Sequence, residues 1–577
     1  MTDEGPAAFL RGISGFEDFD AETLAALDAS LERATLRGGE RLFAAGDEPD
    51  GLVITVRGRL GVLDAEGEIV ATLGRHQIVG EIGALAGLPR TTEVIALRDT
   101  EILRLDQASF DRLFSERPEL GRSLSRLVVT RLVDHGEAPR EQGVPAAVAV
   151  VTIDGGIPID DVVAALVRSA ADCAVVRAAD VAGRSDTEAL SYLDRIEAEH
   201  DLVVLVAGHA LTRDEWFDRC VRQADSVVVV VPPTGAGSWR GPAHELGVAL
   251  HESRANVEVA IDNPSHVTLG PSAAEWTRLL SADRFHHLRH GDRAVADRFA
   301  RLTTGKGVGL VFSGGAAKGL AHLGAWRAMK ELGQEIDTVA GVSLGALLAA
   351  GVALDYEPDL LRKEVDDRLV RQKGLADLTF PWVSLLRGEE ISRRIRAVGR
   401  GRVFEQAWRP FVCTSCDLST GETVEHRSGL LWKAIRASLS IPGLFPPVRD
   451  GDRLLVDGAV RDNLPIANLR GAHPTPLRVI AIDVGKEGFL DPGTTPERGH
   501  VSGWSLLAQR LNPRRADPDI PTMAQVLMRV VDLAGIDHGA EPDVLIRPDL
   551  RSLGLGEFTQ IDAFEQAGYD ATIAALG

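Results

Sequence analysis

Gly341-Val342-Ser343-Leu344-Gly345 lies between an apolar run, Thr338 to Ala340, and a run of small residues from Ala346 to Leu354. A Gly-x-Ser-x-Gly in that setting reads as strand, sharp turn and helix, the geometry that lifts a serine hydroxyl clear of its own backbone for attack on an acyl carbon. Glycine-rich turns produce the same pattern without chemistry, so the surroundings decide. Upstream, Val308 to Phe312 reads as a strand that runs into Ser313-Gly314-Gly315-Ala316-Ala317-Lys318-Gly319, and a helix with Leu320, Leu323, Trp326, Ala328 and Leu332 follows. Glycines in such a loop let successive N–H groups turn outward at a helix start, which suits a phosphate or the oxyanion of an acyl-transfer intermediate. The spacing matches neither the dinucleotide fingerprint nor a P-loop, and the nearby Gly-x-Ser-x-Gly favours the oxyanion.

A serine of ordinary pKa needs a base within hydrogen-bonding distance. His322, on the helix after the glycine loop, and His426, beyond the turn at Gly421, are the histidines to consider, and neither has a context that marks it as the base. Asp457, in Leu454-Leu455-Val456-Asp457-Gly458-Ala459, ends an apolar strand. That placement delivers a carboxylate into a partly dry site, where desolvation makes it a stronger base. Asp-Gly alone is more often a turn, and its order after the other two blocks favours the catalytic reading.

These residues need a large scaffold. At 577 residues and a soft prior of roughly 150 residues per domain, the chain is expected to hold three or four domains. Its net charge of -21 argues against nucleic acid and against broad adsorption to an anionic bilayer, and leaves any membrane contact local and apolar. No basic and apolar leader opens the sequence, and the apolar stretch around Val339 to Leu354 falls short of the roughly 20 residues that span a bilayer. The expected location is cytoplasmic, with peripheral membrane contact. Leu378 to Leu386, with Phe380 and Trp382, is the candidate contact segment; burial is the commoner fate of such a run. Of the four cysteines, Cys413 and Cys416 form a Cys-x-x-Cys, but no second pair completes a metal site, so core thiols on a strand and no metal are expected.

From Ala8 to Leu132, short alternating segments such as Leu52 to Val56, Arg59 to Leu63 and Glu101 to Leu105, punctuated by glycine, indicate an antiparallel barrel or sandwich with flanking helices. Within it, Gly80-Glu81-Ile82-Gly83-Ala84-Leu85 is followed by Leu88-Pro89-Arg90-Thr91-Thr92. A carboxylate and an arginine across a short helical turn suit a ribose hydroxyl and a phosphate. After a charged linker, Asp134 to Val144, the runs Ala147 to Ile153, Cys173 to Val176, Leu202 to Val206, Val227 to Val231 and Val257 to Ile261 alternate with helix-length segments and predict an α/β layer with a parallel sheet. No phosphate-loop motif gives that layer a chemistry.

Two resemblances follow. The Gly80 to Thr92 stretch, with Gly46-Asp47-Glu48-Pro49-Asp50 and Gly58, resembles the phosphate-binding cassette of cyclic nucleotide-binding domains. That resemblance implies Glu81 at a ribose, Arg90 at a cyclic phosphate, Gly80 and Thr91 beside them, and cAMP or cGMP as a candidate effector; Glu93, an acid soon after the arginine, departs from the pattern, and a nucleotide-free docking role is the alternative. The Ser313, Gly341 and Asp457 blocks, with Ser440-Ile441-Pro442-Gly443-Leu444-Phe445-Pro446-Pro447 and Asp462-Asn463-Leu464-Pro465, resemble the patatin-like phospholipases, and the domain order resembles the neuropathy target esterase family of lysophospholipases. This implies a Ser343–Asp457 dyad without histidine, an oxyanion hole at Gly314, Gly315 and Ala316 with Lys318 at the basic position, a phospholipid or lysophospholipid substrate, and no required cofactor. The expected fold is a multidomain α/β chain: an N-terminal β-barrel domain over residues 1–140, an α/β middle region over 145–300, and a patatin-like α/β hydrolase domain over 305–577 with its core at about 308–490. A dormant hydrolase serving as a regulatory binding protein, and a lipid acyltransferase, are the alternatives.

Overall fold

In the computed structural model, residues 6–117, 144–371, 377–485 and 540–577 are described apart from short interruptions, together with a few positions between 502 and 530. The expected linker over 134–144 lies outside them except for its last residue. Contacts divide the chain into two units, one of residues 1–267 with 272–305 and one of residues 268–271 with 306–577.

In the first unit the glycine-punctuated segments pair into two four-stranded antiparallel sheets. One is ordered Glu32–Leu36, Thr100–Asp106, Gly51–Arg57, Ile78–Val79, and the other Arg41–Phe43, Glu93–Ala96, Leu60–Leu63, Ile69–Leu73. Alternation buries Leu52, Ile54, Leu60 and Val94 in the cores. Helix Gln107–Glu116 follows, with Asp106 Oδ1 accepting the Ser109 N–H at 3.0 Å as its cap. The same unit holds a six-stranded, wholly parallel sheet ordered Cys173–Arg177, Leu202–His209, Ala147–Thr152, Ser226–Val231, Asn256–Asn263, Arg284–Arg289. Its last strand, Arg-Phe-His-His-Leu-Arg, carries too many polar residues to read as a buried run. Glu258, on the neighbouring strand, makes that burial tolerable by accepting from Arg284 at 2.6 Å, from His286 at 2.9 Å and from the Thr303 hydroxyl at 2.7 Å. Three arginines from the antiparallel sheets and their loops bind the parallel layer: Arg57 to Asp194 at 2.7 Å, Arg59 to Asp225 at 3.0 Å, and buried Arg98 bidentately to Glu197 at 2.5 and 2.7 Å.

The second unit is built on an eight-stranded mixed sheet. Its strands are β1 (Gly307–Phe312), β2 (Thr338–Gly341), β3 (Phe411–Asp417), β4 (Thr423–His426), β5 (Val448–Asp450), β6 (Arg453–Asp457), β7 (Leu477–Ile482) and β8 (Val544–Ile546). They are ordered β5-β6-β3-β2-β1-β7-β8, with β4 paired to β3. The helices that matter here are α1 (Ala321–Glu331), α2 (Leu344–Ala353), α3 (Glu389–Gly399), α4 (Leu431–Ser438) and α5 (Ile561–Leu576).

Register brings the three sequence blocks together. In the parallel pair β1 and β2, Phe312 lies opposite Gly341, so the glycine loop and the serine turn leave the sheet at the same edge. Gly341 lies opposite Cys413 of β3, and two residues on, Ser415 faces Asp457 at the end of antiparallel β6. The open edge of an α/β sheet at its strand C-termini is where ligand sites form. All ten residues of α2 are buried, which accounts for its unbroken apolar and small sequence and makes it a rigid support for Ser343. At the far end of the chain α5 returns to pack on α1. A Cβ at Gly324 would lie 1.7 Å from the Glu565 carbonyl and one at Gly568 1.8 Å from that of Ala321, so only glycine permits this helix crossing.

Candidate functional site

Ser343 occupies a turn of unusual backbone, φ 55° and ψ -129°, between β2 and α2. A non-glycine residue in that region stores strain of about 1–3 kcal/mol, which the packing around it must hold. The packing is tight: a Cβ at Gly341 would come within 2.6 Å of Gly345, and one at Gly345 within 2.5 Å of the Phe312 and Ser313 carbonyls. Both glycines of the motif are therefore steric requirements of the turn. The Ser343 N–H donates to Ser438 Oγ at 2.8 Å, and its hydroxyl donates to Asp457 Oδ2 at 2.7 Å.

Asp457 is buried, and its two oxygens are divided. Oδ2 receives the serine, while Oδ1 accepts the Ala459 N–H at 3.0 Å; the Asp457 N–H in turn donates to the Ser440 carbonyl at 3.0 Å. Gly458 tolerates no side chain, since a Cβ would meet the Thr414 carbonyl at 2.6 Å and Val342 at 2.8 Å. The Asp-Gly pair is thus a fixed corner pressed onto the serine turn.

The glycine loop stands over the same spot. A Cβ at Gly314 would lie 3.1 Å from Ser343 Cβ and 2.7 Å from Asn463 Oδ1, and the Gly314 N–H donates to that oxygen at 3.1 Å. The N–H groups of Gly315 and Ala316 have no acceptor among the described contacts, and Ala316 takes a positive φ of 48°. Lys318 is buried, and its N–H closes back on the Gly315 carbonyl at 3.0 Å. Of the four loop residues expected at an oxyanion hole, Gly315 and Ala316 carry the open donors, while Gly314 supplies close approach and Lys318 shapes the turn.

Neither histidine reaches Ser343. His322 Nε2 lies 2.9 Å from the Ser313 carbonyl, its ring stacks on Phe312 at 4.5 Å, and burial pushes its pKa down to about 4. His426 Nε2 lies 2.8 Å from Ser415 Oγ, and burial lowers its pKa too. Cys413 and Cys416 are free thiols buried along β3, and burial pushes Cys413 up to about 12. Among the described residues no group of His, Cys, Asp and Glu is placed to hold a metal ion. Two participants carried no signal of their own: Ser438, which fixes the Ser343 N–H, and Asn463, which holds the glycine loop from a motif whose role spacing did not disclose.

At the second candidate site, Gly80 caps the short helix Glu81–Ala86 with φ 86°, Glu81 is buried, and Thr91 is exposed. Arg90 is buried over the Phe43 ring at 4.3 Å and donates to Asp50 at 2.5 Å and to the Gly80 and Gly51 carbonyls at 2.9 and 2.8 Å, and its Nε–H has no partner among the described residues. Gly46 and Asp47 pair with the Arg90 backbone, each at 2.8 Å. Glu93, the departure from the pattern, is held by Arg41 at 3.2 Å.

The segment from Leu378 to Leu386 corrects the expectation of burial. Leu378, Phe380, Trp382 and Val383 are exposed, Phe380 at 79% and Trp382 at 87%, while Ser384 and Leu386 are buried. Leu378 bridges Leu386, and the N–H groups of Leu385 and Leu386 donate to the carbonyls of Gly443 and Leu444, so the base is anchored and the apolar tip projects. Among the described residues no helix is long and apolar enough to cross a membrane.

A serine turn, a glycine loop and an Asp-Gly corner converging on one edge of an α/β sheet define a hydrolase of the patatin-like phospholipase class, and the model of that family matches residues 310–470. The model of the cyclic nucleotide-binding domain matches residues 33–117. An uncharacterised NTE family protein of Mycobacterium bovis is 31% identical over 98% of this chain and 96% of its own length, and one of Mycobacterium tuberculosis matches to the same extent. The lysophospholipase NTE1 of Pyricularia oryzae is 27% identical over 94% of this chain and 42% of its own length. The chain belongs to the NTE family, and its enzymatic class is that of the (lyso)phospholipase hydrolases.

Proposed function

We propose that the chain hydrolyses carboxylic esters of lysophospholipids or phospholipids through a Ser343–Asp457 dyad, and the 2.7 Å hydrogen bond between the two side chains carries the reading. Asp457 accepts the serine proton as Ser343 Oγ attacks the ester carbonyl. The tetrahedral oxyanion is met by the open N–H groups of Gly315 and Ala316, each such donor being worth roughly 3 kcal/mol of barrier. Collapse returns the proton to the departing alcohol and leaves acyl-Ser343, which a water activated by Asp457 then hydrolyses. His322 supports the glycine loop as a neutral ring, and His426 belongs to the β3–β4 pair.

Cyclic nucleotide is the effector we assign to the site around Gly80, Glu81, Arg90 and Thr91, supported by the unpartnered Nε–H of Arg90. Transient contact with a membrane surface is assigned to the exposed tip of Leu378, Phe380, Trp382 and Val383. We take the functional divisions as 1–140, 145–300 and 305–577. A fluorophosphonate probe followed by peptide mapping tests the enzymatic reading. Label on Ser343 with release of free fatty acid from lysophospholipid is expected; no label would leave a dormant hydrolase in a regulatory binding protein, and transfer of the acyl chain to an alcohol in place of water would make the protein an acyltransferase.

A further inference from the structure

A cleft of about 680 Å³ lies between α3, α4 and the strand β5. Six cationic side chains line it, Arg387, Arg393, Arg396, Lys433, Arg436 and Arg449, against the single acid Glu389. Arg393 is paired with Glu390 and Lys433 with Asp450, both at distances of 2.5 to 2.6 Å. Arg396 lies over the Trp432 ring at 4.0 Å, which fixes the plane of its guanidinium.

Arg436 is the unusual member. It is 5% exposed, and it donates only to neutral oxygens: Ser392 Oγ at 3.1 Å, Ser440 Oγ at 2.5 Å and the Pro446 carbonyl at 3.4 Å. Among the described residues no carboxylate forms an ion pair with it, and Asp377, whose charge acts on it, accepts from the N–H groups of Gly388, Glu389 and Glu390 at the start of α3. Burial draws its pKa down to about 10, so it remains charged at neutral pH. The backbone is shaped around it, for Gly388 has φ 75° and a Cβ there would lie 2.5 Å from Arg436 Nη2. An unpaired buried charge costs several kcal/mol. An anion arriving in the cleft would offset that cost.

The cleft and the dyad are two ends of one segment. α4 carries Trp432, Lys433 and Arg436, and it ends at Ser438, which holds the Ser343 N–H; Ser440, which receives Arg436, holds the Asp457 N–H through its carbonyl. From Trp432 to Ser438 a helix rises about 9 Å, on the scale of a glycerol-phosphate unit. Arg387 continues the same cationic rim from the base of the exposed apolar tip, its N–H donating to the Asp377 carbonyl at 2.9 Å.

We propose that this cleft is a phosphate subsite that takes the headgroup phosphate of the glycerophospholipid whose ester is presented to Ser343, with Arg436 as its buried anchor and Arg387, Arg396 and Arg449 as the groups that close on it. The subsite rests on the lipid-hydrolase reading and makes it specific, since a neutral glyceride has nothing to offer the cluster.

The test uses the full chain with two esters of the same acyl chain, 1-palmitoyl lysophosphatidylcholine and 1-palmitoylglycerol, in one neutral detergent. Arg396→Ala and Arg449→Ala change exposed residues and keep the test independent of folding; Arg436→Gln is the stronger variant. The ratio of kcat/KM for the phosphate ester over the neutral ester is expected to fall roughly tenfold or more, through KM, as loss of a charge-assisted hydrogen bond implies. Glycerol 3-phosphate should inhibit lysophosphatidylcholine hydrolysis competitively in the wild type and lose potency in the variants. A ratio that does not move, or an equal loss on both esters, overturns the subsite. Inhibition of both esters alike by inorganic phosphate with the ratio unmoved would assign the cleft to free anions and also overturn it. A wild type that turns over neither ester would instead bring down the hydrolase reading.

Discussion

His322 predicts a pH response whose size the structure sets. Its ring is fully buried against Phe312, and desolvation takes its pKa from the ordinary 6.5 to about 4 in spite of the opposing pull of the Ser313 carbonyl and of Asp483. In the unfolded chain the imidazole takes up a proton near 6.5, whereas in the folded chain it stays neutral until about pH 4. The unfolded state therefore binds more protons across that window, and stability rises with pH through it. The contribution is fully present above about 6.5 and is lost as the pH falls toward 4. At roughly 1.36 kcal/mol per pH unit it amounts to about 3 kcal/mol in all, of which about 2 kcal/mol has gone by pH 5. Urea unfolding of the wild type and of His322→Gln, read by pulse proteolysis at pH 7 and pH 5, isolates it, because the amide keeps a donor for Ser313 and does not titrate. The wild type should lose about 2 kcal/mol more than the variant between the two pH values. Parallel losses would refute the assignment of a neutral structural role to His322 and reopen it as a base.

The remaining expectations concern the other elements. Arg98→Ala leaves Glu197 unpaired at a part-buried contact and should cost about 2 kcal/mol in urea unfolding; a change below about 0.5 kcal/mol would place the pair with ordinary surface bridges. Phe380→Ala with Trp382→Ala should weaken flotation with phosphatidylcholine liposomes without changing hydrolysis of a short-chain soluble ester, and unchanged flotation would remove the tip from membrane contact. Calorimetry with cAMP and cGMP should give saturable binding that Arg90→Ala abolishes; no heat at millimolar nucleotide would leave the Arg90–Asp50 pair as a structural clasp.

The sequence made the serine turn and the Asp-Gly corner legible because close backbone packing constrains short stretches. Gly341, Gly345 and Gly458 cannot carry a side chain where they stand, so the turn and the corner had to appear as local motifs. The five apolar runs of the parallel sheet were legible for the same reason, as continuous burial leaves a continuous signal. Arg284–Arg289 was not, since its stability depends on Glu258, 26 residues from Arg284, and pairing at that range leaves no periodicity. Ser438 and Asn463 act through hydrogen bonds across 95 and 149 residues of chain. The exposure of Phe380 and Trp382 was hidden as well, because an apolar run reads alike whether it is buried or held out to an interface.

The proton path from Ser343 to Asp457 is the centre of the proposed mechanism, and Asp457→Asn tests it most directly, because the amide can hold the corner while losing the base. Steady-state hydrolysis of lysophospholipid by the folded variant should show kcat reduced by at least roughly a hundredfold, the scale of a general base, with Ser343→Ala inactive. A kcat within about tenfold of wild type, below the contribution of a positioned base, would contradict the dyad.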